Sequence, residues 1–476
     1  VRAWLAWRPG QRITPADRVV VEAVTLPGLP LPGAPADERT SMSLPTPGPH
    51  SPQGLLRAVG RWQILGLSIN SVVGSGVYLL PAAAFALLGP FSVWGVLLAG
   101  LTVSLLVLCY AKAGSYFDVQ GGSALYAREA FGPFAGFQVG WMIWLTRIAT
   151  AASLANGLAA AVGRFWRPAG EDAGRMAVVA ASLLLLAGIN IAGVRWAANV
   201  SMALVFGKLL PLLLFVCIGL FHVDWNLAFG GPMPASLDWR HTGQAALLLL
   251  FAYAGFENLS VAAGEYHNPR RNVPFALVAM IALVTALYAV VQLVAQGTLP
   301  SLAESATPVA DAAAMFGGET LAWLMTIGAA LSILGTSNAT MLLGPRFLHT
   351  LASDGYGPRI LAHVHPRLHT PAVAIAFQCV LALALALSGS FVQLALLSMV
   401  TRLLAYITTA ASVLVLRRRL GDPPGSWRLP GGPLVPIAAL ILSLAMLLSA
   451  SPAHLLAVGI AMGVGSLFYR FPRRAG

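Results

Sequence analysis

Apolar residues run along this chain in blocks of about 20, separated by short loops rich in Gly, Pro, Arg and His. Twelve blocks are predicted as membrane-crossing helices, over roughly 62–82, 91–111, 133–160, 176–193, 197–221, 242–264, 273–296, 320–345, 371–388, 391–415, 431–450 and 453–470. Two of them are interrupted. The first carries Gly74-Ser75-Gly76 at mid-depth, inside the stretch from Asn70 to Pro81. Two glycines flanking a serine weaken a helix, and freed backbone groups are costly in hydrocarbon unless buried in protein or lining a cavity. A half-helix starting near Ser75 would turn N–H groups and the positive end of its dipole into such a cavity, as an anion site. Taken alone, the segment fits close helix packing through small residues equally well. The sixth block decides between them, because it is broken too, at Phe251-Ala252-Tyr253-Ala254-Gly255-Phe256-Glu257-Asn258. It stands five spans after the first. Five is odd, so the two halves enter the membrane in opposite directions. Paired broken helices in inverted halves point to a transporter's substrate site.

Composition and charge place the chain in lipid. Of its 476 residues 57% are hydrophobic and 10% charged, against about 25% charged in soluble domains. The net charge of +12 does not form a nucleic-acid face, because the basic residues collect in loops on one side. With the N-terminus inside, inner segments hold Arg57, Arg61, Lys112, Arg270, Arg271 and Arg417 to Arg419, whereas outer loops hold Arg164, Arg167, Arg175 and Arg240. Both termini are therefore expected in the cytoplasm. Cys109, Cys217 and Cys379 all fall in apolar spans and read as packing residues. Residues 1–53 are Pro-rich and aperiodic, and are expected to be a disordered cytoplasmic segment ahead of a membrane domain over 54–476. They have no signal-peptide pattern, and a start at Met42 would make the earlier residues a gene-model extension.

Several motifs in this order resemble the amino acid–polyamine–organocation superfamily, specifically its bacterial amino acid permeases. Gly74-Ser75-Gly76-Val77-Tyr78-Leu79-Leu80-Pro81 is similar to the first-helix signature. Phe251 to Glu257, Ala263-Gly264-Glu265 and Asn268-Pro269-Arg270-Arg271-Asn272-Val273-Pro274 resemble the sixth helix and the loop after it. Gly344-Pro345-Arg346 through Gly357-Pro358, and Leu403 through Arg419, resemble the eighth- and tenth-helix regions. The resemblance implies an all-α polytopic membrane protein with a 5+5 inverted-repeat core, over about 57–221 and 242–416. Two extra helices over 431–470 would bring the total to twelve. It implies alternating access around one amino acid, as a monomer or homodimer in a bacterial inner membrane. The substrate carboxylate would lie on backbone N–H groups near Ser75 and Gly76. The ammonium would meet carbonyls around Ser71 and Val72 and around Phe251, Ala252 and Ala254, with Gly74 and Gly255 in the two breaks. Phe251 resembles an aromatic gate, although a packed core phenylalanine fits as well.

Charges inside the spans bear on coupling and substrate. Lys208 lies about 13 residues beyond Arg195, roughly 20 Å along the helix and too deep to snorkel out. Proton-coupled relatives resemble this chain in having a lysine on the fifth helix. Lys208 is thus either a reversible proton carrier or a structural partner of first-helix carbonyls. Arg147 and Arg402 are also deep, and an arginine does not release its proton, so they read as structural partners. Glu257 is the one carboxylate well inside a span, suited to pairing with an arginine or to sensing pH. Three deep cations against one carboxylate make a poor site for lysine, arginine or polyamines, and neutral amino acids are expected. Proton symport and amino acid exchange both remain open, as does a non-transporting sensor on the same fold.

Other chemistries are not supported. His349, His363, His365 and His369 cluster near the eighth-to-ninth connection without a nearby carboxylate, so no metal site is expected there. Glu257 and Lys208 are the only candidate acid–base groups at mid-depth, which argues against an enzyme, and no cofactor motif is present.

Overall fold

The computed structural model describes residues 59–117, 121–230, 239–261, 266–421 and 426–470. The stretch 1–53 and the Ala263-Gly264-Glu265 part of the loop motif lie outside the described residues. Within them the elements are helical, and the only β pairing is one isolated bridge between Val59 and Tyr266.

The first predicted span is two helices, α1 (Arg61–Val72) and α2 (Gly76–Leu88), followed by α3 (Ser92–Gly114). Next come α4 (Gly122–Phe131), α5 (Pro133–Gly163), α6 (Asp172–Ala192) and α7 (Val194–Gly219). After the short α8 (Trp225–Phe229), the sixth span is likewise split into α9 (Trp239–Ala252) and α10 (Asn258–Val261). The chain continues through α11 (Pro269–Thr298), α12 (Pro308–Ser353), α13 (Ala372–Ala386), α14 (Phe391–Leu420), α15 (Leu434–Ser449) and α16 (Pro452–Arg470). Seven described helical stretches are long and apolar enough to cross a membrane, and four shorter apolar helices accompany them.

Local chemistry sets several boundaries. Ser390 and Gln393 form a reciprocal capping box that starts α14, with N–H···O distances of 3.0 and 3.4 Å. Asp224 caps α8 through Asn226 N–H at 2.8 Å. Gly132, at φ 96°, turns α4 into α5, and Pro133 then occupies the first helical position. The breaks within the long spans isolate α1, α2, α9 and α10 at the middle of the bundle. Around them α5 packs on α12 and α14, α11 packs on α3 and α1, and α9 packs on α2. By contrast, α16 buries only Val458 and Gly465 and rides on the outside.

Three features depart from the sequence reading. Helix α4 lies in the connection between the second and third predicted spans, for which no helix is predicted. It is a short amphipathic helix that buries Tyr126, Ala127 and Ala130 and leaves Glu129 half exposed, too brief to register as an apolar block. Helix α12 begins a dozen residues before the predicted 320–345 span. Its backbone is non-helical at Gly318 (φ 64°), so a separate upstream helix precedes the long one. That upstream helix is tied to the end of α5 by the Arg164–Asp311 ion pair. Cys109 and Cys379 are buried as expected, but Cys217 is exposed on the outer face of α7.

The contact between α3 and α11 depends on glycine. A Cβ on Gly100 would stand 2.4 Å from the Thr285 side chain. Gly100→Leu should therefore destabilise the fold by about 1–3 kcal/mol through overpacking, seen as a lower melting temperature in detergent. An unchanged melting temperature would show that the two helices do not need this close approach.

Candidate functional site

The two breaks face each other across a few ångströms. After α1, Val73 is extended and Ser75 caps α2; after α9, residues 253–257 form turns before α10. The Ser71 hydroxyl donates to Gly255 O at 2.9 Å, joining one break to the other. Gly255 has φ 124°, and a Cβ there would lie 2.3 Å from Ser71 O. A Cβ on Gly76 would lie 2.6 Å from Ala252 Cα. Both readings of the glycines thus hold together. They allow close packing, and the packing brings two sets of freed backbone groups into one place.

That place is a cavity of about 190 Å³. All nine residues predicted to bind substrate line it: Ser71, Val72, Gly74, Ser75, Gly76, Phe251, Ala252, Ala254 and Gly255. Lys208 lines it as well, whereas Glu257 does not. At the start of α2 the N–H groups of Gly76 and Val77 have no acceptor within the helix, and the dipole adds positive potential. The carbonyl side is more occupied than expected. Tyr288 O–H lies 3.1 Å from both Val72 O and Ala252 O, and its single proton is shared between them. A carbonyl has two lone pairs and can accept a second hydrogen bond. Phe251 is buried against Phe391 in an edge-on contact, ring centroids 6.0 Å apart, on the cavity wall.

Lys208 is buried and bonded to the first break. Its Nζ donates to Asn70 O at 2.6 Å and to Val73 O at 2.7 Å, in the last turn of α1 and just beyond it. A cation suits that helix end, where carbonyls lack intrahelical donors. From the other side of the break, Tyr78 O–H donates to Lys208 O at 2.5 Å. One residue of α7 therefore holds α1 and α2 together.

The remaining deep charges form a second group. Arg402 pairs with Glu257 at 2.9 Å and donates to Thr150 Oγ1 at 3.3 Å. Glu257 also accepts from Tyr406 O–H at 3.1 Å and from Gly255 N–H at 3.0 Å, which fixes the turn of the second break. Arg147 donates to the Asn258 amide oxygen, and Asn258 Nδ2 donates to Ser71 Oγ at 3.2 Å. The ion pair that the sequence allowed for Glu257 is thus formed with Arg402. Among the histidines, His365 Nδ1 accepts from the N–H groups of Arg367 and Leu368 in a local turn, and His349 sits on α12.

Over residues 59–465 the sequence matches the amino acid permease family. The chain belongs to that family. It is 30% identical to the serine/threonine exchanger SteT of Bacillus subtilis over 87% of this chain and 95% of that one. It is 27% identical to the methylthioribose transporter of the same organism, covering 88% and 93% of the two chains. The branched-chain amino acid permease BcaP of B. subtilis is 26% identical over 83% and 89%.

Three residues around the cavity are given no role in the sequence reading. Tyr288 O–H meets carbonyls of both breaks, Asn258 links Arg147 to Ser71, and Thr150 accepts from Arg402 on the cavity wall. A polar side chain inside an apolar span was the available signal, and it applies to Tyr288 in the seventh. The buried charge pair is open to test. Glu257→Gln leaves two buried guanidiniums without a carboxylate and should cost about 3–5 kcal/mol of stability. Replacing both partners, Glu257→Gln with Arg402→Met, should recover part of the loss in detergent melting curves. A double variant less stable than the single would overturn this account of the pair.

Proposed function

We propose that the protein carries amino acids across a membrane by alternating access, with the substrate held between the two breaks. The observation that supports it is the opposition, in one cavity, of the α2 N-terminus and the carbonyl-rich ends of α1 and α9. A zwitterion matches that layout: its carboxylate meets Gly76 and Val77 N–H, and its ammonium meets the free lone pairs of carbonyls near Ser71 and Ala252. Residues 54–476 form the membrane domain, with ten crossings in inverted halves over about 57–221 and 242–416 and two more helices over 431–470, twelve in all. The loop charges favour cytoplasmic termini in a plasma membrane. The cations on the cavity wall disfavour substrates whose side chains are themselves cationic.

Coupling runs through Lys208. An amine that loses its proton keeps fewer donors for Asn70 O and Val73 O, which loosens α1 from α7 and links proton release to movement of the first break. Exchange without proton movement is the second reading, because both carbonyls already hold Lys208 as a fixed strut.

Uptake of labelled amino acids into proteoliposomes separates the two. Symport predicts accumulation above equilibrium only under an inward proton gradient, and Lys208→Ala should remove accumulation while leaving counterflow. Wild-type accumulation by Lys208→Ala would refute the carrier role of Lys208, and uptake only into liposomes preloaded with amino acid would leave exchange as the mechanism. Gly76→Leu should abolish both activities, because its side chain meets the Ala252 backbone and covers the α2 N-terminus. Flux in that variant would move the site elsewhere.

A further inference from the structure

The cavity wall carries more positive charge than the protein neutralises. Arg147, Thr150 and Leu154 stand at i, i+3 and i+7 on one face of α5 and line the cavity, as does Arg402 of α14. Both arginines are deeply buried, at 6% and 5% exposure. Glu257 is committed to Arg402. Arg147 donates to the neutral amide oxygen of Asn258, and no ion pair joins it to a carboxylate among the described residues. Its Nε is enclosed without an acceptor, as is that of Arg402.

An arginine cannot discard its charge, and a buried charge without a counter-ion is strongly unfavourable. A purely structural arginine would be expected to have a carboxylate from the protein, as Arg402 has Glu257. Arg147 instead lines the cavity with one neutral acceptor, the Asn258 amide oxygen, where Arg402 has a carboxylate. The backbone groups of an amino acid do not supply the missing partner, because carboxylate and ammonium are both engaged at the breaks. The side chain is what remains.

We infer that Arg147 is the specificity determinant for amino acids whose side chain ends in a carboxylate, the substrate bringing the second anion that the protein omits. The inference rests on the cavity being an amino acid site. It revises the expected preference for neutral substrates: the excess cation that repels lysine and polyamines selects an acid over its amide. A planar guanidinium with free N–H groups suits a carboxylate by paired hydrogen bonds, which an amide of the same shape cannot accept twice.

The test is competition for uptake of a labelled panel into proteoliposomes, comparing L-glutamate with L-glutamine and L-aspartate with L-asparagine. At least one acid should compete ten-fold or more better than its amide. Arg147→Gln should bring that ratio close to one. Asn258→Asp, which places an internal carboxylate on Arg147 without opening a cavity, should lower the ratio in the same way. Amides competing as well as the acids in the wild type would overturn the inference while leaving amino acid transport intact. An acid preference that survives both substitutions would also overturn the role of Arg147. Absence of flux for every amino acid, from folded protein, would sink the transport reading and this inference with it.

Discussion

A helix broken inside a membrane leaves backbone donors and acceptors that water cannot reach, and the rest of this structure is arranged around satisfying them. The first break frees carbonyls at its α1 side, and side chains from two other helices take them. Lys208 holds Asn70 O and Val73 O, and Tyr288 bonds Val72 O. The second break is held by Glu257 on Gly255 N–H and by Ser71 on Gly255 O. What is left after this accounting is unequal. The carbonyls are largely provided for, whereas the N–H groups at the start of α2 keep their capacity for an incoming anion.

The same bonds tie the two halves into a unit. Tyr288 O–H sits between Val72 O and Ala252 O, and Asn258 connects Arg147 to Ser71, so each break is positioned partly by a group that also touches the other. Removing any one member strands polar atoms in an apolar surround, where an unmade hydrogen bond costs more than a made one contributes. Geometry at the site is therefore set by polar satisfaction, and the glycines at 76 and 255 permit the approach that makes it possible.

The architecture was legible because its cause is periodic and its exceptions are compositional. Hydrophobic blocks mark helices, and Gly-Ser-Gly with Ala-Gly-Phe marks where two of them fail. All nine predicted substrate contacts gather in one cavity for that reason. The rest was illegible because it depends on tertiary partners. Nothing in the spacing says that Arg402 finds Glu257, 145 residues away, while Arg147 finds only an amide. Three deep cations against one carboxylate could be counted from the chain, but which cation lacks a partner could not. The upstream part of α12 was hidden for a different reason, since a short amphipathic helix ending in a left-handed glycine resembles a loop.

Movement must act on these bonds. Lys208 grips the carbonyl end of α1 while Tyr78, on α2, grips Lys208's own carbonyl, so α7 cannot follow both halves if they separate. Any swing of α1 that opens the cavity breaks two amine–carbonyl bonds and leaves a buried ammonium to find other acceptors or give up its proton. Swinging α2 instead breaks one phenol–carbonyl bond and leaves Lys208 fully bonded to α1. The two motions are thus unequal in cost, and the costlier one is the one that a change in the charge of Lys208 would favour. If coupling to protons runs through Lys208, as proposed, this asymmetry at the first break is where it would act.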